Sequence, residues 1–434
     1  MCFYARRDKV IVDMTSFSAT ESTDIYYGWK IVAAIMFILT FASGLSFYNH
    51  PVYLNELASR DDFDLGSASL AVSLFFLSGG VSGLIVGRWV EKVDPRYCIS
   101  FGAVISSFAL GSIPYVETVG QLYIVYIFFG VGFSASSLIP ATTIVARWFR
   151  KKRAMALSIA STGLSLGGVI LTPITIMVVD ELGFKTAGPM MGMLYLLGVI
   201  PVAWIWLRES PESMGLKVDG GALGKQEAET GVDDGLSFAA VRRMKNFWGI
   251  STGYIFLMMA QVGGIAHQYG LSRELLSEEE TAIAVAILPV TSIIGRLMGG
   301  WVIDRMSIRV FAIGIMILQV FSLCMLGFGA SVLSLCFGLA FFGASVGNLL
   351  MLQPLLIAAA FGLRDYARIF SFANLMSSCG TAVGPALLGY IAVLNAGDYT
   401  WPYVIAAGAG AMGLLLFLLG GQGSFDSGSK KSRQ

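Results

Sequence analysis

Charge is scarce in this sequence. Aspartate, glutamate, lysine and arginine make up 13% of its 434 residues, against the roughly 25% usual in soluble domains. That scarcity excludes a disordered chain, a nucleic-acid binder and a water-soluble enzyme built round one core. Histidine occurs only as His50 and His267, and the five cysteines (Cys2, Cys98, Cys324, Cys336 and Cys379) show no close pairing. Neither a disulfide framework nor a metal centre is suggested. None of the six asparagines opens a glycosylation sequon. The first 25 residues are polar and hold no apolar segment of a cleaved signal peptide. No nucleophile–base constellation and no phosphate-cradling glycine loop occurs outside apolar runs, so neither an enzyme nor a cofactor is expected.

What the chain has is apolar length. Apolar residues make up 56% of it, with 51 glycines, and mean hydropathy is +0.72. Twelve apolar runs, each long enough to cross a bilayer at ~20 residues per span, fall in two sets of six. The expected fold is an all-α membrane protein of twelve transmembrane helices in two six-helix pseudo-repeats. A tail (1–28) precedes the first bundle (29–207), a polar glycine-rich linker (208–244) follows, and a second bundle (245–420) ends in a tail (421–434). Phe238 to Lys245 reads as a short amphipathic helix on the membrane surface.

Basic residues are distributed unevenly along this pattern. With both termini in the cytoplasm, 25 lysines and arginines fall in cytoplasmic segments and three (Arg60, Lys185, Arg273) in outer loops; Arg296 lies inside a span. The positive-inside rule therefore puts both termini and the linker in the cytoplasm of a multi-pass cell-membrane protein. A monomer with the lipid bilayer as its surroundings is expected.

The two halves echo each other. Gly87-Arg-Trp-Val-Glu91-Lys92-Val-Asp94-Pro-Arg96 follows the second run, and Gly300-Trp-Val-Ile-Asp304-Arg305-Met-Ser307-Ile-Arg309 follows the eighth, 213 positions later. Gly163-x3-Gly167 in the fifth run matches Gly380-x3-Gly384 in the eleventh at an offset of 217. Two echoes at similar offsets mark an internal repeat. Glycine allows close helix approach. The acid after it can pair with basic groups when that side of the membrane is closed, or the loop can serve as anchoring alone.

The loop motif resembles the signature of the major facilitator superfamily. Tyr27-Gly28-Trp29-Lys30, Pro140 to Arg153, Ser210-Pro211-Glu212 and Gly295-Arg296-x3-Gly300 further resemble bacterial monocarboxylate and oxalate–formate type carriers. The resemblance implies alternating-access transport, with the arginine of the eighth span binding a substrate carboxylate. Arg296 lies ~12 Å from Asp304 along a helix, near mid-membrane, where a charge must meet a wet cavity or a counter-charge. Its guanidinium can fork onto a carboxylate; the alternative is a structural arginine bonded to helix carbonyls. Its counterpart at the 213 offset, Gly83, carries no charge.

Weaker candidates are polar stripes at helical spacing: Ser43, Ser46, Phe47 and His50; Ser158, Ser161, Thr162 and Ser165; and Asn374, Ser377, Ser378 and Thr381. Small hydroxyl residues also serve tight packing. Ser136 and Ser137 match the region where the resembling carriers place polar contacts, and Asn348 and Gln353 join the candidate site. Proton-coupled relatives pair the arginine with an aspartate one turn earlier; here that residue is Ser292, and no span has a deep lysine. The expected function is secondary transport of a small carboxylate, a monocarboxylate favoured. It would run either as anion exchange or with protons held by His50 or His267. The rivals are a carrier of a drug or sugar, and a membrane sensor.

Overall fold

The computed structural model describes residues 26–58, 63, 65–220, 235–395 and 398–421. The N-terminal tail, the linker between 221 and 234 and most of the C-terminal tail lie outside the described residues. Among those described, twelve helices are long and apolar enough to cross a membrane. They are α1 (Tyr27–Phe47), α2 (Leu70–Lys92), α3 (Pro95–Tyr115), α4 (Val119–Trp148), α5 (Arg153–Leu182), α6 (Phe184–Trp206), α7 (Lys245–Arg273), α8 (Ala286–Ile303), α9 (Ile308–Phe328), α10 (Val332–Phe361), α11 (Tyr366–Ala392) and α12 (Thr400–Leu419).

Two spans are broken where the site lies. The first passes into a π-helical turn at Ser43–Phe47 and resumes as a short helix, His50–Ala58. Pro51 has no N–H for the Phe47 carbonyl and its ring crowds that oxygen, so the regular ladder cannot continue. In α4 the helix stops at Ser136 and restarts at Leu138, because Pro140 cannot donate to the Ser136 carbonyl. The resulting gap leaves Ser137 in an irregular backbone conformation. The apolar pattern runs straight through both breaks.

The internal repeat is physical. A Cβ on Gly167 would strike the Thr40 carbonyl and the Gly44 amide, and one on Gly384 would strike the Met259 carbonyl and the Gly263 amide. The α1–α5 and α7–α11 crossings are thus the same contact, with offsets of 219 for α1 to α7 and 217 for α5 to α11. Likewise a Cβ on Gly130 would meet the Phe75 carbonyl and Ser78 Oγ, and one on Gly343 the Leu288 carbonyl and Thr291 Oγ1, an offset of 213 for α2 and α4 to α8 and α10. Backbones this close gain dispersion contacts that lipid tails cannot supply.

The segment expected as an amphipathic surface helix is helical only at Phe238–Val241. The Phe238 amide donates to Asp365 Oδ2 at 2.8 Å, and its ring packs at a tilt against Phe372 with centroids 5.7 Å apart. Those contacts hold it on α11 and leave no length for a free helix.

Candidate substrate site

The two halves meet along α2–α11 and α5–α8. On the side where the linker lies, the contact is closest. Gly87 of α2 lies against the Ala367 carbonyl and Ser371 of α11, and Gly300 of α8 against Ser158 and the Ala154 carbonyl of α5. At the 217 offset Ser371 corresponds to Ala154, so the second contact is slid by one helical turn relative to the first.

That slide changes what the motif acids do. Glu91 Oε1 accepts a hydrogen bond from the Arg368 amide at 3.0 Å, capping the first turn of α11 across the gap between halves. Anionic groups are favoured at that helix end. The corresponding amide in the first half is that of Lys151, and Asp304 does not reach it; its carboxylate makes no hydrogen bond among the described residues. Asp219, from the start of the linker, stands there instead. Asp219 accepts from the amides of Arg150 (3.0 Å), Lys151 (2.6 Å) and Lys152 (3.4 Å), holding a left-handed conformation at φ 60° that aspartate tolerates better than most residues. Partial burial raises the pKa of Asp304, while Arg305 and Lys152 pull it back down. Of the other motif residues, Arg96 binds Asp94 in its own loop (Nη2 to Oδ2, 2.5 Å). Arg305 stacks on Trp301, 3.7 Å from the ring centre, Arg309 donates to the Gly421 carbonyl, and Lys92 is exposed. Among the described residues, none of these named contacts crosses between the halves.

Above this closed layer lies a cavity of about 140 Å3, walled by α1, α2, α4, α5, α7, α10 and α11. Of the sequence candidates, Ser43, Phe47, Ser137, Gln353 and the α11 stripe Asn374, Ser377, Ser378 and Thr381 line it. Gln353 is held in the wall by bonds to Ser377 Oγ (2.7 Å) and the Ala373 carbonyl (3.3 Å). Ser136 and Asn348 do not line it. Ser136 bonds Tyr195 Oη at 2.8 Å. Asn348 donates to the Gly295 and Ala344 carbonyls, both at 2.9 Å, and so joins α8 to α10. The α5 stripe faces the other half, as packing requires: Ser158 Oγ lies 2.8 Å from Met351 Sδ and Ser165 Oγ 3.3 Å from Ser292 Oγ.

Arg296 sits in that interface, fully buried, and is not part of the cavity wall. Its Nε donates to the Gly347 carbonyl at 2.9 Å and its Nη1 to the Ser161 carbonyl of the opposite half, while Nη2 has no partner. Tyr48 connects it to the cavity. Tyr48 lines the wall and lies within electrostatic reach of Arg296. The sequence reading passed over Tyr48 because an isolated tyrosine at the end of an apolar run carries no pattern.

The histidines stand apart. His50 is buried in an aromatic box, 4.4 Å from Phe75 and 5.7 Å from Tyr126 between ring centres, and neither ring nitrogen has a partner. His267 Nε2 lies 2.9 Å from the Pro385 carbonyl; at the 219 offset it is the counterpart of Tyr48.

The profile of the Major Facilitator Superfamily matches residues 36–270 and 253–434. The chain belongs to this superfamily. An MFS-type transporter of Gibberella moniliformis (strain M3125 / FGSC 7600) is 26% identical over 350 residues, 78% of this chain and 77% of that protein. A probable hexose phosphate transport protein of Chlamydia muridarum (strain MoPn / Nigg) is 22% identical over 56% of this chain and 58% of its own. Among solved structures, the E. coli fucose:proton symporter superposes with a TM-score of 0.67 at 16% identity, covering 90% of this chain and 98% of its own. The human organic anion transporter MFSD10 does so with a TM-score of 0.69 at 14% identity, over 90% and 99%. At these identities the structures share the fold alone. The chain is a multi-pass transporter of the major facilitator type.

Proposed function

We propose that this superfamily transporter carries a small monocarboxylate by exchange for another anion, with Arg296 as the counter-charge. One observation carries the reading: a permanently charged guanidinium is buried between the two halves with no acidic partner among the described residues and with Nη2 unpaired. A buried charge without a counter-ion is costly, and a carboxylate entering past Tyr48 would relieve it. Two further carbonyl contacts already orient the guanidinium. A dianion would keep one uncompensated charge, since no lysine, arginine or histidine is among the described residues that line the cavity.

The same reading places the linker side in the cytoplasm, following the basic-residue asymmetry. The Glu91–Arg368 contact then acts as a latch that holds the cytoplasmic side closed, and the pseudo-repeats rock about the Arg296 layer when it releases.

Coupling follows from the same groups. Ser292 cannot titrate in the physiological range, and an imidazolium at His50 would lie among aromatic rings with no hydrogen-bond acceptor. Exchange is therefore favoured over proton symport. Proteoliposomes loaded with a monocarboxylate are expected to take up the labelled acid in counterflow, with empty liposomes taking up little, and an imposed pH gradient should change that by less than about twofold. Accumulation driven by the pH gradient that vanishes in His50→Gln or His267→Gln would overturn exchange and make that histidine the proton site.

A further inference from the structure

The cavity wall carries further unpaired polar groups, remote in sequence from Arg296. Gln261 of α7 is 1% exposed and lines the cavity, and its Oε1 has no partner. Ser134 and Ser137 of α4, from the other half, line the same space, and both hydroxyls are unpaired. Buried polar atoms are almost always hydrogen-bonded, and those that are not ask for an explanation.

Scaffolding does not supply one. In a duplicated fold, a polar group needed for packing should recur in the other half, as the glycine contacts do. Gln261 has Ala42 as its counterpart at the 219 offset, and Ser134 and Ser137 have Gly347 and Leu350 at the 213 offset. Arg296, against Gly83, breaks the symmetry in the same way. The same wall carries aromatic residues, Phe75 and Phe76 from α2, Phe133 from α4 and Tyr254 from α7. Aromatic faces suit a planar ring.

We infer that the substrate is a ring-bearing monocarboxylate with a hydroxyl remote from its carboxylate, and that Gln261, Ser134 and Ser137 select it by binding that hydroxyl. This rests on the carboxylate reading above. A hydroxyl both donates and accepts, so it satisfies an amide in either orientation and the two serine hydroxyls. An unsubstituted ring leaves all three groups unpaired, and a second carboxylate finds no cation there. A site built to hydrogen-bond a substrate hydroxyl discriminates strongly against the analogue that lacks it.

The test is counterflow in proteoliposomes of the full chain with 4-hydroxybenzoate, benzoate and propionate. The wild-type protein is expected to favour 4-hydroxybenzoate over benzoate by about tenfold or more in apparent affinity, the scale of one net hydrogen bond. Gln261→Leu should bring the two within about twofold while benzoate uptake persists, and Ser134→Ala with Ser137→Ala should give an intermediate ratio. Thermal unfolding in detergent checks each variant, and Gln261→Met replaces the leucine variant if that one does not fold. Equal affinity for the two benzoates in the wild type, or a ratio unchanged in the Gln261 variant, overturns the inference. Propionate carried with neither benzoate also overturns it and leaves the carboxylate reading standing. No uptake of any of the three fails that reading itself.

Discussion

Replacing Arg296 with lysine is expected to weaken carboxylate transport by about 10- to 100-fold while the protein still folds. Lysine keeps the charge but loses the planar fork. In the wild type Nε and Nη1 are committed to the Gly347 and Ser161 carbonyls, and Nη2 has no partner. A single ammonium cannot hold both carbonyls in that geometry and also meet a carboxylate. The loss is that of one charge-assisted hydrogen bond, ~1.5–3 kcal/mol. The measurement is the concentration dependence of counterflow uptake, set beside the thermal stability of the purified variant. Normal carboxylate uptake with lowered stability would make Arg296 a structural clamp between the halves rather than the carboxylate's counter-charge.

The second large effect is expected at the Glu91 latch. Glu91→Ala removes the carboxylate that caps α11 from the other half, whereas Asp219→Asn weakens bonds to three successive amides before α5 that stay within the first half. A charged hydrogen bond of ~1.5–3 kcal/mol would shift the balance between closed and open by about 10- to 100-fold in Glu91→Ala. A reporter cysteine at Thr381, in the cavity wall, placed in a background lacking the native cysteines, should then react at least about tenfold faster with an impermeant maleimide from the linker side of inside-out vesicles. Asp219→Asn, whose bonds stay within one half, and Asp304→Asn should both stay within about twofold, although the sequence motif makes Asp304 the equal of Glu91. Opening by Asp304→Asn as large as that by Glu91→Ala would show that the motif acids act alike.

The contrast between Glu91 and Asp304 shows what the sequence carries and what it does not. The twelve spans, the repeat and the isolated charge of Arg296 are legible because each is a pattern: a long apolar run, two motifs at one offset, a guanidinium where hydrocarbon is expected. The pairing of Asp219 with Lys151 is not, because it depends on a one-turn slide of α8 against α5 that no residue type announces. Gln261 was missed for a related reason. It stands alone in an apolar run, without a polar neighbour three or four positions away, so a search for stripes passes over it. Comparing the halves residue by residue would have found it, but only at the 219 offset of α1 to α7, which differs from the 213 and 217 offsets of the visible echoes. Ser136 and Asn348 erred the other way. Both are polar and near the right depth, yet a helix face points at a cavity or at a neighbouring helix according to tilt, and here Tyr195 and the Gly295 carbonyl took them. The breaks in α1 and α4 had their signals in Pro51 and Pro140, overridden by the continuity of the apolar runs around them.

The central claim is that Arg296 is the substrate's counter-charge, and a structure of the protein with a bound monocarboxylate tests it most directly. The account predicts carboxylate oxygen within hydrogen-bond distance of Arg296 Nη2, with Tyr48 moved aside or sharing the carboxylate. A carboxylate bound elsewhere in the cavity, with Arg296 still held only by the Gly347 and Ser161 carbonyls, would contradict it.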